Sequence, residues 1–159
     1  MDWTTLLFSF NGRINRGKYW LAVLIYMVVW TAFFVAVIVW LGGLNLDNLW
    51  GFAGKGLLIW LVGLILLILG TWSGLAVGVK RLHDRDKSGW WILLFWLGPS
   101  FLGSWQTATP DLSGVFILSL AAMAILIWAF VELGCLPGTP GPNQYGPDPL
   151  GNPPLAPPR

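Results

Sequence analysis

The sequence predicts an all-α integral membrane protein, a four-helix bundle with a short N-terminal interfacial helix and an irregular C-terminal tail rich in proline and glycine. Of the 159 residues, 56 % are hydrophobic and only 10 % are charged, whereas soluble domains carry about 25 % charged residues. The 12 Trp and 20 Gly residues suit helices packed in lipid. The uncharged residues also stand in long runs. Together these observations exclude a soluble enzyme, a disordered chain and a disulfide-stapled secreted domain.

Four runs are candidates for the spanning helices, because about 20 apolar residues cross the hydrocarbon core of a bilayer. None of them shows the alternation of barrel strands, so the prediction is helical. The third run is the shortest, and we expect Pro99 to kink it. The predicted spans are residues 20–41, 57–79, 89–105 and 115–134.

The segments on either side of the spans have patterns of their own. Before the first span, an apolar stripe at helical spacing predicts a short helix in the membrane interface. After Gly134 the chain holds nine of its eleven prolines, which predicts an extended, irregular segment. We expect residues 1–150 to form one membrane domain and residues 151–159 to be a disordered tail. The stripe consists of Trp3, Leu6, Leu7 and Phe10.

The distribution of Lys and Arg predicts the orientation in the membrane. Of the nine basic residues, eight fall on one side of the four-span arrangement and only Lys55 falls on the other. Because loops rich in Lys and Arg stay in the cytoplasm, we expect both termini to be cytoplasmic. The eight are Arg13, Arg16, Lys18, Lys80, Arg81, Arg85, Lys87 and Arg159.

Two features of the predicted spans bear on function. Gly70, Gly74 and Gly78 are each four residues apart, which makes one helix face flat enough for close packing. Such a face fits either packing inside the bundle or a homodimer contact. The spans also carry no ionisable residue at mid-depth, which counts against an ion- or proton-coupled transporter.

The segment between the second and third spans, residues 80–91, is the richest in charge. The simplest interpretation is a tight, solvated loop whose cations set the topology. It also places His83 beside Asp84, and a histidine titrates near neutrality. Ser88 is positioned to cap the third span. Since the chain has one His and one Cys, Cys135, we expect no metal site, no cofactor and no internal disulfide.

Three separated motifs resemble the bacterial inner-membrane family called domain of unknown function 805. They are FNGRINR at 10–16 followed by YW, RLHD at 81–84 with SGWW at 88–91, and PGT at 137–139 leading to NQYGPDP at 143–149. Their order and spacing fit over residues 6–149. Lys80 departs from the family, which often has a second Arg there. The family has no assigned activity, so the resemblance implies the fold and the location only.

All three motifs fall on the cytoplasmic side of the predicted topology, and we therefore expect them to converge. In this hypothesis the tail folds back under the bundle, and Asn143 and Tyr145 bond to Arg and Asp side chains. The cluster either locks the loops together or forms a ligand site. This predicted polar cluster contains Arg13, Arg16, Arg81, His83, Asp84, Ser88, Asn143, Tyr145 and Asp148.

The function predicted from the sequence is a non-enzymatic binding or scaffold protein of the bacterial cytoplasmic membrane. Its partners would be anionic lipid headgroups, since basic residues at the interface suit phosphates, or another membrane protein, or a second copy. The net charge of +2 does not indicate nucleic-acid binding. Two alternatives stay open. One is a small transporter or channel that acts as a dimer. The other is a membrane enzyme on a lipid-linked substrate, using His83 and Asp84.

Overall fold

The computed structural model is all-α and describes residues 2–42, 49–108 and 111–151. The last helix continues directly into one π-helical turn, Val131–Cys135, called the π segment below. The helices are α1 (Trp3–Phe8), α2 (Arg16–Gly42), α3 (Leu49–Asp84), α4 (Trp91–Ala108) and α5 (Leu112–Phe130).

Three helices are long and apolar enough to cross a membrane by length and composition. These stretches are Arg16–Trp40, Gly56–Asp84 and Leu112–Cys135. At 1.5 Å per residue, each is longer than the ~30 Å hydrocarbon core. α4 lies at the predicted third span but is shorter than these three stretches. Among the residues that the structure describes, it is not one of the helices that meet the criterion of length and composition.

The helices begin and end at different residues from the predicted spans. The predicted spans follow the apolar runs, whereas helical hydrogen bonding continues into the charged segments beyond them. The largest difference is at the end of α3, which continues to Asp84. The prediction of a solvated loop from residue 80 is therefore wrong, because Lys80 and Arg81 are buried in the last turns of a helix. The connection to α4 is only the segment 85–90.

The starts of α2 and α5 are capped by side chains. Asn15 Oδ1 accepts the backbone N–H of Lys18 at 2.9 Å, which satisfies a free donor in the first turn of α2. Asp111 does the same for α5, through the backbone N–H groups of Ser113 and Gly114. α4 continues through Pro99 as one helix.

The helices pack as two hairpins joined at one end. α2 contacts α3, α4 contacts α5, and the π segment contacts both α2 and α3. Two small groups of buried apolar side chains lie at this joined end, called the charged end below. The first group is Leu6, Ile14, Ala22 and Val77, and the second is Leu82, Phe95 and Leu133.

The glycine stripe of α3 has three different surroundings. A Cβ added at Gly78 would lie 2.5 Å from Ile92 Cδ1, so this glycine permits the contact between α3 and α4. A Cβ at Gly70 would meet the Trp30 indole nitrogen at 3.9 Å, and one at Gly74 would meet nothing within 4 Å. The stripe thus has neighbouring side chains at Gly70 and Gly78 and is open at Gly74.

The segment predicted as an interfacial helix forms α1, and the tail is described as far as residue 151. α1 ends at Phe8, so Phe10 lies outside the helix, and its ring packs edge-on against Trp72 at 5.2 Å. Leu6 is buried while Trp3 is exposed. Residues 152–159, which include Arg159, lie outside the described residues, as does the side chain of Lys55.

Candidate functional site

Four segments of the chain meet at the charged end: the start of α2, the end of α3, the π segment and residues 137–149. Arg13 lies just before α2, and both Arg81 and Asp84 lie in the last turns of α3. Arg13 Nε donates to Asp84 Oδ1 at 3.2 Å, and Arg81 Nη1 donates to Asp84 Oδ2 at 2.5 Å. All three side chains are at most 3 % exposed. We call these three residues the buried ion cluster.

The buried ion cluster has two cations for one anion, and backbone carbonyls offset the excess positive charge. Arg81 Nε donates to the Leu133 carbonyl at 2.8 Å, and Arg81 Nη2 donates to that of Leu136. The last carbonyls of a helix lack partners within the helix and carry partial negative charge. Arg81 therefore caps the end of α5 and the π segment.

Arg13 binds the tail in the same manner. Its Nη2 donates to the Thr139 carbonyl at 2.6 Å, and its Nη1 donates to the Gly141 carbonyl at 2.7 Å and that of Gly146 at 3.3 Å. One guanidinium thus joins α3 to tail residues that lie 126 to 133 positions after Arg13 in the chain. The tail lies under the end of the bundle because these bonds hold it there.

The tail approaches α3 so closely that one position requires glycine. A Cβ at Gly138 would overlap the carboxylate of Asp84. The next residue, Thr139, donates its backbone N–H to the Asp84 carbonyl at 2.8 Å and its hydroxyl to the same oxygen at 3.2 Å. Asp84 is therefore bound through both its side chain and its main chain.

Lys80 performs a capping role for α1 that the sequence analysis missed. Its Nζ donates to the carbonyls of Thr5 and Leu6, both at 2.6 Å. These carbonyls lie in the last turn of α1. The buried ammonium therefore fixes α1 to α3.

A second ion group lies beside the buried ion cluster and was also missed. Glu132 Oε1 accepts from Arg85 Nε at 3.0 Å and from Lys87 Nζ at 2.9 Å. Arg85 Nη1 further donates to the Pro137 carbonyl at 2.7 Å. These contacts attach the short α3–α4 connection to the π segment and to the tail.

His83 lies between the α1–α2 connection and the tail. Its Nδ1 is 3.3 Å from the Gly12 carbonyl, and its ring stacks on Tyr145 with centroids 3.8 Å apart. Asn143 Nδ2 donates to the His83 carbonyl at 2.9 Å and to the Thr139 hydroxyl at 3.1 Å. We expect Asn143 and Tyr145 to bond to Arg and Asp side chains; the structure instead gives Asn143 bonds to the His83 carbonyl and the Thr139 hydroxyl, and Tyr145 a stacking contact with His83.

The other predicted members lie at the edge of this arrangement. Arg16 is exposed and donates to the Cys135 carbonyl at 3.0 Å. Asp148 accepts the backbone N–H of Gly141 at 3.2 Å and so shapes the tail. Ser88 is exposed, and its hydroxyl accepts the Trp90 N–H at 3.4 Å at the start of α4.

The contacts at the charged end hold separate segments of the chain together, and we call this network the lock. In the part of the chain that the structure describes, every buried side-chain nitrogen and oxygen has a hydrogen-bond partner, and no group of His, Cys, Asp and Glu could hold a metal ion. Lys80 was detectable from the sequence, because Val77, Lys80, Arg81 and Asp84 share one helical face. The acceptor Thr139 had no such signal, since only tertiary packing brings its carbonyl to Arg13.

The chain is similar to three proteins of Escherichia coli (strain K12). It is 35 % identical to "Uncharacterized protein YiiR" over an alignment of 150 residues that covers 89 % of this chain and 86 % of that protein. It is 34 % identical to "Inner membrane protein YhaH" over an alignment of 156 residues that covers 94 % of this chain and 97 % of that protein. It is 31 % identical to "Inner membrane protein YhaI" over 141 residues, 89 % and 86 %.

No solved structure matches the chain. The names of two of these relatives, together with the three long apolar helices, indicate a multi-pass inner membrane protein. Residues 7–147 match the family model described as "Protein of unknown function (DUF805)". The resemblance of the three motifs is thereby confirmed, and the chain belongs to the DUF805 family.

Proposed function

We propose that the protein is a non-enzymatic binding or scaffold protein, whose charged end is a rigid cytoplasmic platform that contacts anionic lipid headgroups. One observation carries the proposal: the buried ion cluster is fully bonded within the protein. Its donors already have partners in Asp84 and in backbone carbonyls. It therefore acts as the lock, and lipid phosphates are contacted by cations at its edge.

The platform requires a topology in which one end of each long helix lies on the same side of the membrane. These ends are the start of α2, the end of α3, the start of α4 and the end of α5. α3 ends at the charged end, and α5 also ends there through the π segment. The start of α5 is therefore at the opposite end, so α4 must carry the chain across. Its 18 residues give a length of ~27 Å, close to the thickness of the hydrocarbon core. This favours four spans.

The orientation follows from the cations gathered at this end. Arg13, Arg81 and Arg85 all belong to the network described above. Cytoplasmic loops carry the excess of Lys and Arg. We therefore place the charged end, with both chain termini, in the cytoplasm.

Arg16 and Lys18 are the cations best placed for headgroups. They lie in the first turn of α2, and Arg16 is exposed. Trp20, one turn further on, is 42 % exposed and donates its indole N–H to the Gly134 carbonyl at 3.1 Å. An interfacial Trp beside cations is the pattern of a membrane surface, and each cation near anionic lipid contributes about 1 kcal/mol.

Reporter fusions test the topology. A fusion after residue 151 should make green fluorescent protein fluoresce and leave alkaline phosphatase inactive. Phosphatase inserted between α4 and α5 should be active, because α4 has crossed the membrane. An inactive phosphatase between α4 and α5, with a fluorescent C-terminal fusion, would contradict the four-span topology.

Lipid titration tests the headgroup contact. Purified protein stripped of lipid should bind phosphatidylglycerol more tightly than phosphatidylethanolamine in native mass spectrometry. Replacing Arg16→Gln and Lys18→Gln together should reduce this preference by about fivefold for each cation. The control is Lys87→Gln, which removes a cation already paired with Glu132. An unchanged preference in the double variant would contradict the proposal.

A further inference from the structure

A second feature of the charged end is a cavity of about 400 Å³ between α3 and the start of α4. It lies apart from the buried ion cluster. All three sequence motifs contribute to its lining, through Phe10, His83 and Tyr145. Its walls are otherwise largely apolar, and the exposed ring of Trp90 stands at its edge. We call it the interfacial pocket.

His83 provides the interfacial pocket with an acceptor of fixed direction. The Gly12 carbonyl can only accept a hydrogen bond, so Nδ1 of His83 must carry the proton. In the neutral ring the lone pair is then on Nε2. The Tyr145 ring, stacked at 3.8 Å with 3° between the planes, holds the imidazole in its orientation.

The Nε2 atom faces a position that carries no side chain. A Cβ at Gly89 would lie 3.3 Å from Nε2 and 2.7 Å from Val79 Cγ1. Gly89 lines the same pocket. In the described part of the chain, no residue forms a hydrogen bond with Nε2. The pocket thus contains one acceptor that the protein itself does not use.

The interfacial pocket changes from polar to apolar along its length. Leu75, Val79 and His83 lie on successive turns of α3, so the lining extends about 12 Å along the helix. His83 and Ser88 lie at the level of the charged end, while Leu75 and Leu93 lie toward the bilayer interior. A phospholipid shows the same gradient, from headgroup to upper acyl chain, at the same depth in the membrane.

We propose that the interfacial pocket binds a membrane phospholipid whose headgroup carries an N–H or O–H donor, with Nε2 of His83 as the acceptor. Val79 and Leu93 contact the upper acyl chain. The donor can be the ammonium of phosphatidylethanolamine or a hydroxyl of phosphatidylglycerol. This selectivity is for a hydrogen-bond donor, whereas the edge cations of the proposed function select for negative charge.

The test compares headgroups that differ in their donors. Lipid-stripped protein is titrated with phosphatidylethanolamine, its dimethyl derivative and phosphatidylcholine, all with the same acyl chains. One hydrogen bond predicts about three- to tenfold tighter binding of the first two, because the dimethyl form keeps one N–H. A steady loss with each methyl group would indicate exclusion by size and would overturn the proposal. In a parallel titration, tighter binding of phosphatidylglycerol than of phosphatidylcholine would identify a headgroup hydroxyl as the donor.

Two substitutions at His83 separate its nitrogens. His83→Asn keeps an amide N–H near the position of Nδ1 for the Gly12 carbonyl and removes Nε2. His83→Phe keeps a ring to stack on Tyr145 and removes both nitrogens. Both variants should bind phosphatidylethanolamine no more tightly than phosphatidylcholine. A donor preference that persists in both variants would overturn the proposal.

A matched pair of substitutions tests the pocket without touching His83. Leu93→Trp should fill the cavity and weaken binding of every phospholipid. Leu94→Trp, at the exposed next position, should have no effect. Equal phospholipid binding by both variants would overturn the proposal. A change in oligomeric state with Leu93→Trp, without a change in phospholipid binding, would also overturn it, because a second copy of the chain would then be what covers the pocket. The proposed function is tested separately, by whether the variant with Arg16→Gln and Lys18→Gln loses its preference for phosphatidylglycerol over phosphatidylethanolamine.

Discussion

The charged end and the apolar length of the helices are built in different ways. At the charged end, side chains such as Lys80 and Arg81 are fully buried and bonded to several segments. In the most apolar stretch of each long helix, only 6 % of the residues are buried inside the protein. Lipid is as apolar as the side chains it touches, so apolar contact alone does little to choose among helix arrangements. The hydrogen-bonded end therefore specifies how the two hairpins are joined.

The largest expected effect is at the centre of the buried ion cluster. Asp84→Asn leaves two buried guanidiniums without their counter-ion, and removing one partner of a buried ion pair costs about 3–5 kcal/mol. The free energy of unfolding in detergent should fall by that amount. The control is Asp86→Asn, an exposed position with φ of 57°, which Asn tolerates well. Equal stability of the two variants would show that the cluster is not the lock.

The next effect concerns how tightly the tail is held. Gly138→Ala places a Cβ against the Asp84 carboxylate, so the tail must move, at a cost of about 1–3 kcal/mol. Limited proteolysis should cut residues 137–149 faster in this variant. Gly103→Ala meets nothing within 4 Å and should leave the cleavage rate unchanged. A cleavage rate that does not respond to Gly138→Ala would mean that the close approach does not hold the tail.

A smaller effect is expected within the spans. The Tyr26 and Ser73 hydroxyls are 2.7 Å apart, which joins α2 to α3. Hydrogen bonds between membrane helices contribute about 0.6 kcal/mol on average, so Ser73→Ala should destabilise the protein far less than Asp84→Asn. Ser100→Ala, which loses only a bond within its own helix, is the control. A loss comparable to that of Asp84→Asn would overturn the contrast between the two regions.

The smallest effect is expected at the opposite end, in the cap of α5. A hydrogen bond from the Ser113 hydroxyl, with the backbone N–H groups of Ser113 and Gly114, lowers the pKa of Asp111. A lowered pKa stabilises the folded state above the unfolded value of about 4, and this contribution is lost as the pH falls through the folded pKa. Thermal unfolding from pH 6 to pH 3 should show a slight loss that Asp111→Asn, which still caps but does not titrate, lacks. An identical pH profile in both proteins would contradict this role.

The fold class could be predicted from the sequence because it depends on composition and on local runs. All-α structure, the membrane location and the family were available from apolar segments and from three motifs. The helix ends were harder, since an apolar run ends at Val79 while the helical hydrogen bonding continues to Asp84. Whether charged residues continue a helix depends on whether the folded protein offers them partners.

The sequence predicts which residues form the candidate site better than it predicts the contacts between them. Arg13, Arg81 and Asp84 could be grouped because each lies in a motif on the predicted cytoplasmic side. The bond between Arg13 and Asp84 could not be derived, because the two residues are 71 positions apart and only packing sets their distance. The stacking of His83 on Tyr145 was missed for the same reason.

The bonds of Arg13 also have a consequence for the order in which the protein is made. The ribosome delivers Arg13 early, yet its acceptors at Thr139 and Gly141 lie 126 and 128 positions later. Until residues 139–146 are made, the Nη atoms of this guanidinium lack these acceptors. The last bonds of the lock form only after the final span has been inserted, so a nascent chain stays open at this end until its tail emerges.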